Sequence, residues 1–300
     1  MAHKFQILSN FHIKLLAIIF MVFDHVGLAM VSFIRYNPTV YEVADFFISI
    51  GRLAMQLFVF MIVEGVIHTK SIKKYLLRLG IMATFISIIL GIVSYVDFGI
   101  DTSGIAGAGN IFLDLFLIAL SIFLLKQDNK WLKPLVILPV ALSVISFSVK
   151  CFEYGTKNMV LWYPSFLYLQ YDWLSVVLGI GFYLAYKGAD LYVDSTYQYT
   201  KMDKEMCELN GNYRLIVNII SAFVVALISV LYYLYKYIYP EGVFWDANLQ
   251  LLAIISGAFI LLYNGKRGYN AKWFQYGVYL FYPVHIGIIA LIFILITGGL

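Results

Sequence analysis

Charged side chains are scarce in this chain. Of its 300 residues 13% are Asp, Glu, Lys or Arg, 62% are hydrophobic and the mean hydropathy is +0.85. Soluble domains average about 25% charged and 45–50% apolar, so a water-soluble globule is excluded. Cysteine is nearly absent. Cys151 and Cys207 have no CxxC or Cys/His ligand spacing around them, which excludes a disulfide scaffold and gives no metal site. Acidic residues number 17 against 21 basic ones, a net +4. The basic residues fall in short blocks beside helix ends, where membrane topology explains them, and no nucleic-acid partner is expected. The N-terminus, MAHKFQILSN, lacks a small-residue cleavage pattern, so the first apolar run is expected to stay in the mature protein. Duplicated halves, which would suggest an inverted-repeat transporter, are missing from the sequence as well.

The apolar runs that remain are mostly 17 to 23 residues long, enough to cross ~30 Å of hydrocarbon at ~1.5 Å per residue. They fall at about 11–33, 50–68, 76–96, 109–126, 133–150, 165–186, 214–236, 247–264 and 276–297. Barrel strands would be shorter and would alternate. The fold class expected is therefore all-α, a polytopic membrane helix bundle of about nine transmembrane helices forming a single domain over 1–300. Basic residues alternate by connection. One set holds Lys4; Lys70, Lys73, Lys74 and Arg78; Lys126, Lys130 and Lys133; Lys187, Lys201, Lys204 and Arg214; Lys266, Arg267 and Lys272. The other holds Arg35, none, Lys150 with Lys157, and Lys236. The positive-inside rule then puts the N-terminus in the cytosol and the C-terminus outside. The one long connection, 187–213, reads as a cytosolic interfacial or loosely folded loop. The segment 97–110, glycine-rich with Asp97 and Asp101, reads as a flexible outer loop.

Ionisable residues inside such runs are costly and need partners. FMVFDHVGLAM, residues 20–30, carries Asp24 and His25 near its centre. Helix rise puts both about 4 Å outside the midplane, Gln56 also about 4 Å, Asp114 about 5 Å and His285 near the midplane itself. Five polar residues from four helices can thus share one slab of a bundle interior. Successive helix positions point about 100° apart, so Asp24 and His25 each need a partner on another helix. Arg52 or His285 is expected for Asp24, with His25 left neutral, facing a cavity and available as a base. Arg52 is read near the outer end of its span, where it can snorkel, and Lys14 as snorkelling to the cytosolic surface.

A second polar group is read on the cytosolic side. Glu64 and His68 are four apart on one helix face and lead into Lys70, Lys73 and Lys74, while YNGKRGYN places Gly265 and Gly268 around Lys266 and Arg267. Glycines flanking a basic pair let backbone amides and cations approach an anion together, which suits a phosphate. In FYPVH, Pro283 is expected to kink its helix near His285, with Tyr279 and Tyr282 on a similar face.

Three segments, KLLAIIFMVFDHVG, IGRLAMQLFVFMIVEGVIHTKSIKKYLLRL and LLYNGKRGYNAKWFQYGVYLFYPVHIGIIAL, together resemble the TraX family of integral membrane proteins, which includes the F-pilin acetylase. The resemblance implies a bacterial inner-membrane acyltransferase that moves an acetyl group from cytosolic acetyl-CoA to an amino group, a peptide N-terminus in the pilin case, or to a hydroxyl. Similarity to other multi-span acyltransferases assigns the base to His25. Asp24 would orient or charge-balance the site, and Arg52, Gln56 or His285 would stabilise the oxyanion. Lys70, Lys73, Lys74, Lys266 and Arg267 would hold the nucleotide, while Glu64, Asp114 and Tyr282 complete the polar surroundings. Which of His25 and His285 is the base, and whether the acceptor is a membrane peptide, a glycan or a lipid head group, stays open. The residues alone also suit a proton-coupled secondary transporter with Asp24, His25 and His285 as its relay. An odd span count and the glycine-flanked basic pair argue against it.

Overall fold

The computed structural model describes residues 3–33, 38–96, 109–200, 204–209, 211–238 and 250–297. In hydrocarbon every backbone N–H and C=O must be satisfied within the protein, and a helix does so within one segment. The described residues accordingly form helices, with no strand among them beyond a single parallel bridge between Leu8 and Tyr263. In chain order the α-helices are α1 (Asn10–Phe33), α2 (Pro38–Gly51), α3 (Leu53–His68), α4 (Ile72–Tyr95), α5 (Ile111–Leu125) and α6 (Ile137–Thr156). They continue with α7 (Asp172–Thr200), α8 (Lys204–Leu209), α9 (Asn212–Ile238), α10 (Ile255–Leu261) and α11 (Lys272–Thr297). Short 3-10 turns occupy Lys133–Val136, Ser165–Leu167 and Leu252–Ile254.

Among the described residues seven helical stretches are long and apolar enough to cross a membrane, and the chain is a multi-pass membrane protein. Each of the nine apolar runs holds helix, but two of these helical pieces, Ile111–Leu125 and Leu252–Leu261, are shorter than the rest. Two expectations are corrected. The segment 38–51, read as an outer connection, is helical. It opens with Pro38 at its first position, where the missing N–H costs nothing, and with α3 it makes one stretch of 30 residues from Thr39 to His68. The segment 187–213 is no loose loop: α7 carries on to Thr200 and α8 follows. Falling hydropathy there marks an amphipathic helix rather than a helix end, since Ala189 and Val193 are buried while Lys204 and Tyr213 both bond Asp190 (2.6 and 2.8 Å). Of the segment 97–110 all but Gly109 and Asn110 lies outside the described residues, as do Arg35 and Lys201.

Helix α3 is the centre of the bundle. Leu57, Val59, Phe60 and Val63 are fully buried beneath α1, α5, α7 and α10, whereas α4 turns Leu77, Ile81 and Ile88 outward. Apolar residues on the rim of a membrane bundle meet lipid, which is as apolar as they are, so packing rather than water exclusion selects the interface. Close approach of α1 and α2 illustrates this. A Cβ on Gly27 would sit 2.8 Å from the Ala44 carbonyl, and one on Gly51 would sit 2.3 Å from the Asp24 Cβ.

Each end of the bundle is tied by its own connections. At one end the N-terminal segment pairs with the loop after α10 through Leu8 N to Leu262 O (2.9 Å), Asn264 N to Leu8 O (2.8 Å) and Asn10 N to Lys266 O (2.8 Å). His3 bonds Asn212 there (3.1 Å). At the other, Asn110 N meets Tyr168 O (2.7 Å) and the Lys150 ammonium meets Leu169 O (2.8 Å). Connections that the charge alternation placed on one side thus touch one another.

Candidate functional site

Asp24 and His25 lie on α1 facing different neighbours, as the helical turn between adjacent residues requires. The Asp24 carboxylate stands 3.9 Å from the Arg52 guanidinium Nε. Arg52 takes its place between α2 and α3, deep inside the 30-residue stretch, with 14% of its side chain exposed. The expectation that it snorkels from a span end is therefore corrected: the helix continues outward through α2, and Gly51 lets the Asp24 side chain come close. Lys14 is half-buried.

His25 pairs with His285. The His285 Nδ1 is 2.7 Å from the Phe281 carbonyl and its Nε2 is 2.9 Å from the His25 Nδ1. A carbonyl only accepts, so Nδ1 of His285 carries the proton and its Nε2, with the ring neutral, must accept. The His25 Nδ1 then donates to His285, its hydrogen shared with the Met21 backbone carbonyl that His25 also bonds, and the lone pair of His25 sits on Nε2. That nitrogen makes no hydrogen bond to the protein among the described residues, and the His25 ring is part-exposed. The chain of donors and acceptors thereby separates two histidines that share one depth. Both nitrogens of His285 are engaged, and His25 alone presents a basic atom. The Phe281 ring stacks on the His285 ring, with centroids 4.7 Å apart, and Tyr282 stands edge-on to both histidines, at 6.0 Å from His25 and 5.8 Å from His285. Helix α11 runs on through Pro283.

The slab extends past the histidines. The Tyr282 hydroxyl donates to Gln170 Oε1 (3.0 Å), and Tyr171 and Tyr282 both stand within electrostatic range of Asp24 and Asp114. Asp114 itself is fully buried and accepts from Gln170 N (2.7 Å), Tyr171 N (3.3 Å) and the Ser175 hydroxyl (2.6 Å). It thus holds the bend ahead of α7 rather than turning to His25. Beyond it Asp172 takes an ion pair from Lys150 and a bond from Ser146 (2.6 Å). Gln56 is 2% exposed, and its Oε1 has no protein partner among the described residues. Four residues on from Arg52, it lies on the same helix face, one turn away.

Glu64 corrects another expectation. Instead of leading into the basic segment it is buried and saturated. Arg214 NH1 donates to Oε1 (2.5 Å), the Tyr186 hydroxyl donates to the same oxygen, and the Tyr263 hydroxyl donates to Oε2 (3.2 Å). The Arg214 guanidinium lies between the Tyr186 and Tyr263 rings, 5.4 and 5.2 Å from their centroids. The buried Tyr263 hydroxyl is thus a donor to that carboxylate. His68, with 53% of its side chain exposed, bonds the Glu64 backbone carbonyl at 3.0 Å, its ring 3.5 Å from the Glu64 carboxylate. Arg214, Tyr186, Tyr263 and Gln170 escaped sequence reasoning. Arg214 counted there only as topogenic charge, and the depth matching that grouped Asp24 with His285 would have found it had it been applied at the helix ends.

The basic segments share an end of the bundle, since the Tyr263 bond to Glu64 sets the GKRG loop beside the end of α3, where Lys70 follows. Lys70, Lys73, Lys74, Lys266 and Arg267 are all exposed. Gly265 and Gly268 adopt φ of +73° and +66°, which favours glycine. A Cβ on Gly265 would meet Arg214 Nε at 3.0 Å and one on Gly268 would meet Ser9 Oγ at 2.2 Å. Both glycines are thus required by the protein's own packing, and the loop they shape leaves the two cations on the surface. Among the described residues no group of three or more His, Cys, Asp or Glu side chains is arranged to hold a metal ion. The family model described as TraX protein matches residues 9–293. No curated protein and no solved structure matches the chain.

Proposed function

The chain belongs to the TraX family, and from that premise we propose that it is an acetyl-CoA-dependent acetyltransferase of the bacterial cytoplasmic membrane with His25 as its general base. One observation carries the reading: the hydrogen-bond chain from Phe281 through His285 to His25 leaves the Nε2 lone pair of His25 open. A neutral amine attacks the thioester carbonyl as Nε2 takes its proton. The tetrahedral oxyanion is stabilised by the Arg52 guanidinium, and collapse expels the coenzyme thiolate, which recovers the proton from His25. Amine and acetyl thioester thus become amide and thiol. Asp24 balances the transient imidazolium, and His285 acts by position, fixing the ring and tautomer of His25. General-base catalysis of this kind contributes about 10²–10⁴-fold.

An α-amine suits the site as acceptor. Its pKa of about 7.7–8.0, against about 10.4 for lysine, leaves far more of it neutral at pH 7. The buried Gln56 Oε1, lacking a protein donor, offers an acceptor for one of its N–H groups. Acetyl-CoA is too polar to cross a bilayer, so its phosphates would meet Lys70, Lys74, Lys266 and Arg267, which puts that end and the N-terminus in the cytosol. A transport reading has no specific observation in its favour, because Asp24 is engaged by Arg52 and Asp114 by backbone amides.

Acetyl-CoA binding to the purified protein in detergent tests this. Saturable binding that weakens about 100-fold or more when Lys266→Ala and Arg267→Ala are combined, as loss of two charge-assisted contacts of about 1.5–3 kcal/mol each requires, supports the reading. A folded, monodisperse sample that binds no acetyl-CoA contradicts it.

A further inference from the structure

Between α4 and α5 runs a groove of about 800 Å³ lined by Lys73, Leu76, Gly80, Phe85, Phe116 and Phe123. It continues into a second stretch of about 550 Å³ that shares Gly80, Thr84, Ile88 and Phe116 and ends at Gly91 and Phe166. Each stretch falls within the volume range of small-molecule sites, about 300–1,000 Å³. Lys73 is the one charged residue among those lining either stretch, and it stands at the end where α4 begins. Along α4 the first stretch runs from Lys73 to Ile88, about 22 Å at ~1.5 Å per residue, which exceeds the ~15 Å depth of one leaflet's hydrocarbon.

Its contents are chemically restricted. Leu77, Ile81 and Ile88, which also line it, are exposed on the outer face of α4, so the groove opens toward lipid rather than toward the histidines. Ser87, at its floor, already accepts from the Asn110 side-chain amide (2.9 Å). Gly80 sets the depth: a Cβ there would lie 3.5 Å from the Phe116 ring, and a larger side chain would fill the channel. The Arg78 guanidinium lies over the Tyr75 ring at 5.7 Å, and Lys70 and Lys74 are exposed beside Lys73, so the mouth is strongly basic. An apolar trough longer than one leaflet is deep, ending at cations, fits a molecule with a long hydrocarbon tail and an anionic head.

We propose that this groove is a binding site for an anionic glycerophospholipid, with one acyl chain between α4 and α5 and the headgroup phosphate at Lys73. Lys73 then serves lipid rather than the nucleotide of acetyl-CoA, and the inference does not depend on the acetyltransferase reading. Its test is lipid retention by the full chain, delipidated in detergent and offered phosphatidylglycerol or phosphatidylcholine with identical acyl chains, with bound lipid read by native mass spectrometry. Wild type retains phosphatidylglycerol about fivefold better, the contribution of one lysine at an anionic surface. Lys73→Ala loses that preference, and Gly80→Leu retains less of both lipids. Equal retention of the two lipids by wild type overturns the proposal. So does an unchanged preference in Lys73→Ala, or full retention by a Gly80→Leu protein with wild-type melting.

Discussion

Two of the polar assemblies inside this bundle, those around Glu64 and His25, differ in what they leave unused. Around Glu64 every group is spent on another: two tyrosine hydroxyls and a guanidinium cover the carboxylate, and two aromatic rings flank the guanidinium. Around His25 the same economy stops one atom short. His285 is consumed at both nitrogens and holds the His25 ring, whose Nε2 is left without a protein partner among the described residues. A saturated assembly ties helices together, here α3, α7, α9 and the loop before α11. An assembly with a lone pair to offer is where chemistry can occur.

The sharpest way to break this comparison is to remove each centre. His25→Ala should cost about 10²–10⁴-fold in acetyl transfer with little change in melting, measured as thiol release from acetyl-CoA beside a thermal unfolding scan. Glu64→Gln should do the reverse first. Leaving Arg214 buried without its carboxylate costs about 3–5 kcal/mol, visible as a large fall in melting temperature, and any activity loss should follow the loss of folded protein. Unchanged melting for Glu64→Gln would mean that its network is no staple. His285→Ala should fall between them, with kcat reduced and KM for acetyl-CoA unchanged, because it orients the base without touching the donor. The smallest effect is expected at the loop. Gly268→Ala forces an L residue into a left-handed conformation at about 1–2 kcal/mol and crowds Ser9, so a modest drop in melting with near-normal transfer is the expected outcome.

Much of the helical layout was legible because long apolar runs leave hydrocarbon few alternatives. Residues 10–33 and 72–95 are read almost to their ends. The failures share a cause. Hydropathy marks where a helix leaves the membrane and not where it stops, so α2 and the last turns of α7, both richer in polar residues, were invisible as helices. At the site, helix rise put His25 and His285 at one depth and offered Arg52 or His285 to Asp24, since depth along a helix is nearly fixed by sequence; Arg52 stands by Asp24, while His285 turns to His25 instead. Rotation and partner choice are not. Asp114 was at the right depth yet serves the backbone at 170–171, a bend that no local pattern announces. Arg214 looked like topogenic charge until Glu64, 150 positions away, closed on it.

The account stands most directly on the unpartnered nitrogen of His25. Transfer of a radiolabelled acetyl group from acetyl-CoA to an α-amino peptide should be measured for wild type and His25→Ala in the same detergent, with melting recorded for each. The account predicts a folded variant whose transfer falls by at least about 10². A folded His25→Ala protein that transfers acetyl at the wild-type rate would contradict it.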